Sequence, residues 1–135
     1  MKFHVFRLKP HEDLKQGILA FAKIHAIKAG CVVTCVGSLE HVHLRYARQE
    51  NGLNQKGHFE IISLVGTFSE EYGHFHLSVA DGAGKTTGGH LLDSNLVYTT
   101  AEIVVGEIPG TEFLREKDET HGYAELVVKK LNSGE

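Results

Sequence analysis

Apolar and polar residues alternate with a period of two over several stretches of this chain, the pattern of strands that bury one face. In residues 73–80, Phe75, Leu77 and Val79 fall on one face and His74, His76 and Ser78 on the other. Residues 3–8 set Phe3, Val5 and Arg7 against His4, Phe6 and Leu8. Residues 41–46 set His41, His43 and Arg45 against Val42, Leu44 and Tyr46. Residues 58–68 and 96–108 read as further strands, the second with Thr100, Glu102 and Val104 opposite Ala101, Ile103 and Val105. Cys31 to Val36 is mainly apolar and β-branched and reads as a buried strand. Gly37-Ser38 then marks a bend or bulge. A polar turn at 69–72 joins 58–68 to 73–80, which predicts an antiparallel hairpin.

One stretch departs from this period. Leu14, Ile18, Phe21, Ala22 and His25 recur every three or four residues and predict an amphipathic helix. Pro10 suits its first turn, with Glu12 and Asp13 at the positive end of the helix dipole. Gly30 is the expected stop. Glu112 to Thr120 is densely charged and reads as a short helix or a loop carrying Arg115, and Tyr123 to Lys129 as the last strand. Leu131 to Glu135 reads as a frayed tail. Short connections favour antiparallel neighbours. The expected fold class is therefore α+β, a largely antiparallel sheet with one main helix packed on it, in a single domain spanning 1–135.

Charge narrows the partners. The formal net charge is -3, so no basic excess drives binding to nucleic acid. No run reaches the roughly 18 apolar residues of a membrane helix, and the N-terminus lacks a signal-peptide pattern. A cytoplasmic location is expected. Cys31 and Cys35 are four apart, which matches neither a redox pair nor a zinc ribbon, and they read as small buried residues in a reducing compartment.

Ten histidines are many for this length. His74 and His76 stand two apart on one strand face, about 6.6 Å by rise. A glycine-rich connection follows, and His90 arrives after Gly88-Gly89. If that connection folds back, three neutral imidazoles face one point and leave a coordination position open, the ligand set of a catalytic-type zinc site. The bland alternative is a solvated polar face. His41 and His43 form a second, weaker pair, with no third ligand close in sequence and with Arg45 beside them, which suits an anion. Gly82-Ala83-Gly84-Lys85-Thr86 imitates the end of a P-loop, but the first motif position is Val79, and Thr87-Gly88-Gly89 is a poor helix start.

The order Phe59-Glu60-Ile61-Ile62-Ser63-Leu64, His74-Phe75-His76-Leu77-Ser78, Asp81, Gly88-Gly89-His90-Leu91 and Thr99-Thr100-Ala101-Glu102 resembles the PPC (plants and prokaryotes conserved domain) family. Gly37-Ser38-Leu39, Arg45-Tyr46-Ala47 and Arg115 fit the same pattern. The resemblance covers nearly the whole chain. It implies an antiparallel sheet with a helix packed on it, a homotrimer, and a metal at His74, His76 and His90. Plant members join this domain to AT-hook segments that bind DNA, and stand-alone prokaryotic members are often labelled as DNA-binding. This chain has no Arg-Gly-Arg-Pro hook, so a DNA partner transfers poorly. The fold is also similar to that of acetolactate decarboxylase, a three-histidine metal lyase.

Two functions follow. One is a trimeric module that holds a divalent metal, zinc by preference, and serves assembly or DNA-linked regulation. The other is a metal-dependent lyase or hydrolase. In that case Arg45 or Arg115 would take a small-molecule carboxylate, and Glu60 or Glu102 would act as acid/base or support a histidine.

Overall fold

The strand-dominated chain folds around one large sheet. The structure, a computed structural model, describes residues 1–132. Along it run β1 (Lys2–Leu8), α1 (Leu14–Ile24), β2 (Gly30–Arg45), β3 (Leu53–Phe68), β4 (Gly73–Ala80), β5 (Thr86–Leu91), β6 (Leu96–Glu107), β7 (Thr111–Lys117) and β8 (Ala124–Lys130). The six-stranded sheet has the order β1-β6-β2-β3-β4-β5, and β7 and β8 form a separate two-stranded sheet. The named strand pairs are antiparallel. The architecture is mostly antiparallel β-sheet with one short helix.

β2 and β3 are each 16 residues long, so the two strands expected at 31–36 and 41–46 are one strand with bulges. One irregularity lies between Gly37 and Leu39, where the sequence placed it. The glycine is needed there because a Cβ at Gly37 would stand 2.0 Å from the Thr100 carbonyl oxygen on β6. Past that bulge the far end of β2 meets β5, with Leu44 opposite Leu91 and Arg45 opposite His90. β2, β3, β4 and β5 thereby close on themselves.

The buried face of this sheet takes the apolar stripe of α1. Leu14, Ile18 and Ala22 are fully buried with Phe75, Leu77 and Val79 of β4 and Ile103 and Val105 of β6. Each large apolar side chain placed there contributes about 1.5–3 kcal/mol. The helix starts later than Pro10 suggests. Asp13 is its N-cap, accepting from Gln16 N at 3.0 Å, and its other carboxylate oxygen accepts from Ser94 N at 2.6 Å. It also ends before Gly30: Ala26 takes a left-handed φ of 51°, and Gly30 opens β2 instead, where a Cβ would stand 2.6 Å from the Phe68 ring.

Residues 111–117 form a strand and not the expected short helix or loop. β7 pairs with β8 through a turn in which Asp118 N donates to the Tyr123 carbonyl at 2.7 Å, and Phe113 N donates to the Lys28 carbonyl at 2.9 Å. Most of the tail expected to fray, residues 133–135, lies outside the described residues.

Candidate metal centre

β4 and β5 are a hairpin whose turn is tied by Asp81, which accepts from Ala83 N and Lys85 N at 2.9 Å each. Thr86 begins a strand after this turn and not a helix, so the Gly-Lys-Thr run builds no phosphate cradle. The register sets His76 directly opposite His90, and His74 lies two residues along the same face. Ring centroids are 5.1 Å apart for His74 and His76, 5.4 Å for His74 and His90, and 5.8 Å for His76 and His90. Their available nitrogens all lie within 4.8 Å of one another.

Gly88 and Gly89 make this convergence feasible. A Cβ at Gly88 would meet the Leu77 carbonyl oxygen at 2.9 Å, and one at Gly89 would meet the Arg45 carbonyl oxygen at 2.7 Å. Without side chains there, β5 fits between β4 and the end of β2. His90 is thereby held between His76 and Arg45, its cross-strand neighbours.

Burial, and after it the neighbouring charges, favour the neutral form of two of the imidazoles, His90 and His74. Burial, then the Arg45 guanidinium, the neighbouring rings of His74 and His76, and Lys15, push His90 down from 6.5 to about 4. Burial and then His76, Arg115 and Arg45 lower His74, against a smaller raising effect of Glu125. Neutral imidazoles are the ligating form. Among the described residues, no hydrogen bond or ion pair occupies the ring nitrogens of His74, His76 or His90, so these donor sets are unspent and fit a divalent metal.

The cluster opens into a cleft of about 970 Å³ that Arg45 and Arg115 also line. The structure thus brings together five of the seven side chains singled out from sequence. Glu60 and Glu102 are not among the lining residues. Glu60 pairs with Ser38 and Ala80, and Glu102 with Val36 and Arg7, elsewhere on the sheet. The carboxylate that does reach the cleft is Glu125, with Tyr123 beside it. Neither was singled out, because nothing in the sequence placed the β7–β8 hairpin at the histidine cleft; alternation through 123–129 was the one available signal. The second histidine pair is engaged elsewhere. His43 Nδ1 donates to the Asp93 carbonyl at 2.8 Å and its backbone N–H donates to Asn95 Oδ1 at 2.8 Å. His41 sits opposite Lys56 and Leu96. Fully buried Asn95 completes this lock by donating to the His43 and Leu92 carbonyls.

Comparison with known proteins gives concordant matches. The sequence model of the family described as the Plants and Prokaryotes Conserved (PCC) domain, abbreviated PPC above, matches residues 1–109. A bifunctional protein GlmU from Synechococcus sp. (strain JA-3-3Ab) is 40% identical over 131 residues, 97% of this chain and 21% of that protein. AT-hook motif nuclear-localized protein 13 of Arabidopsis thaliana is 32% identical over 114 residues, 76% of this chain and 26% of that protein. The chain therefore spans about a fifth to a quarter of the length of these curated relatives. Among solved structures, a hypothetical protein from Salmonella enterica superposes with a TM-score of 0.93 at 38% identity, over 96% of this chain and 94% of that one. A metal-containing protein from Archaeoglobus fulgidus gives 0.78 at 24% identity, over 94% of each. A protein from Bacteroides thetaiotaomicron, described as a candidate DNA-binding protein, gives 0.83 at 22% identity, over 93% of this chain and 91% of that one. The last two likenesses are of fold.

Proposed function

Because the chain belongs to the Plants and Prokaryotes Conserved domain family, we propose that it is a metal-binding module, one domain over 1–135, that works as a homotrimer. The single observation that carries this is the convergence of three unspent imidazoles within 4.8 Å. His74, His76 and His90 hold the ion. An all-imidazole set with one open position suits zinc. The fold neighbour from A. fulgidus, described as metal-containing, supports the same reading. The bound ion would act as a Lewis acid toward an oxygen donor at the open position.

The trimer is supported by the outward face of the sheet. Val5 is 75% exposed, Ile62 and Val65 are 57% and Val36 is 56%. Apolar side chains gathered on one sheet face call for a partner surface. A DNA partner has less support. The plant relatives are named for an AT-hook motif and the Bacteroides neighbour for DNA binding. This chain, however, carries a net charge of -3, and four of its cations gather in the histidine cleft.

A second reading, a metal-dependent lyase or hydrolase, is favoured by one feature: the cluster opens into a cleft with phenols, guanidiniums and the carboxylate of Glu125. The test begins with metal content by elemental mass spectrometry on untagged wild type and His76→Ala. About one zinc per chain, lost in the variant, is the expected result. No metal in either, after zinc is offered, overturns the proposal.

A further inference from the structure

The cleft differs in charge from the rest of the molecule. Lys15, Arg45, Arg48 and Arg115 line it against only two carboxylates, Glu71 and Glu125, in a chain whose net charge is -3. Among the described residues, none of these four cations forms a side-chain hydrogen bond or an ion pair. Arg45 and Arg115 are moreover partly buried. A guanidinium carries five donors that ask for acceptors once water is thinned around them. Two such groups converging without an internal partner are a binding surface for an anion.

Placement narrows the anion. Arg45 is the cross-strand neighbour of His90, so one guanidinium stands at the edge of the imidazole cluster. Arg115 comes from β7, an element beyond the residues the family model matches, and lines the same cleft. Between them the walls are apolar and phenolic, from Leu19, Tyr46, Tyr72 and Tyr123. A bare inorganic ion makes no use of such walls, whereas an organic body does. The planar fork of Arg matches a carboxylate with two parallel hydrogen bonds.

We propose that the cleft binds a small organic carboxylate, gripped by Arg45 and Arg115, with its second oxygen donor turned toward the three histidines. The inner end of this site rests on the metal reading; the guanidinium grip does not. Arg115 makes the β7–β8 hairpin the element that selects the ligand.

The experiment is calorimetric titration with malate and 2-oxoglutarate, with inorganic phosphate as the competing anion, on zinc-loaded and metal-free protein. Both carboxylates are expected to bind the loaded wild type. Arg45→Gln and Arg115→Gln should each weaken binding at least tenfold, with zinc content and circular dichroism unchanged. His76→Ala, without metal, should keep a weaker affinity that Arg115→Gln abolishes when combined with it. The proposal is overturned if neither acid binds wild type, loaded or metal-free, or if both folded arginine variants bind as wild type does. It is equally overturned if phosphate binds as tightly as the two acids. Absence of zinc in wild type would sink the metal reading alone, since titration of the metal-free protein still tests the guanidiniums.

Discussion

His90 shows how much a single residue's surroundings decide. In the unfolded chain it takes a proton near pH 6.5, and in the folded protein only near pH 4. Between those values the unfolded state binds more protons, so folding stability rises with pH. The contribution is complete above about pH 6.5 and declines as the pH drops toward about 4; His74, lowered in the same direction, adds to it. The thermal midpoint of metal-free protein should therefore fall on acidification across this window, and His90→Gln should flatten part of the slope. An equal slope in wild type and variant would contradict the assignment. The two cysteines differ in the same spirit. Burial pushes the Cys35 thiol up to about 12, while Cys31 is partly exposed. Iodoacetamide at pH 8 should label Cys31 and leave Cys35 untouched in folded protein, read by peptide mass spectrometry.

At the scale of elements, glycines decide which strands can touch. Gly37 lets β2 pass β6 where any Cβ would collide with backbone. Gly37→Ala should cost about 3 kcal/mol of stability, measured by urea unfolding. Loss of less than 0.5 kcal/mol would mean that the bulge relaxes freely. Most strands were legible because alternation is a local signal, and the β3–β4 hairpin followed from a short polar link; β5 entered only as a condition, that the glycine-rich connection fold back. The merger of two short strands into β2 was not legible, since a bulge interrupts the period without ending the pairing. β7 was hidden for a related reason: its charged residues in the stretch 112–117 give no apolar face to read, and what makes it a strand is its pairing with β8 and its bond to Lys28. The three-histidine cluster was readable because all its members lie in one hairpin. The misplacement of Glu60 and Glu102, and the silence on Glu125, have the opposite cause, because their positions depend on contacts between distant segments.

Across the whole molecule, the outward sheet face is where the proposed trimer would be covered, because it exposes Val5 and Val36. Val5 and Val36 are exposed enough that polar replacement leaves the subunit's own core intact. Sedimentation of wild type should give three times the 14.9 kDa subunit mass. Val5→Glu with Val36→Glu should shift it to one subunit, because like charges would then face one another across the interface. A wild-type mass of one subunit would remove the trimer. The apolar character of this face was visible in the sequence as strands with hydrophobic residues on both sides; which of those sides the helix would cover was not.

The two halves of the cleft have different histories in the folding chain. The imidazoles come from residues 74–90 of a single hairpin, whereas the guanidiniums come from positions 45 and 115. Short loops close early and at small entropic cost, and long-range pairings come later. On the proposed reading, the chain gains its grip on an ion as soon as β4 and β5 meet. Selectivity for what sits beside that ion is acquired last, when β2 has reached β5 and the hairpin of β7 and β8 has docked. A nascent or partly opened protein would thus be a metal binder without preferences, and discrimination would be a property of the completed fold.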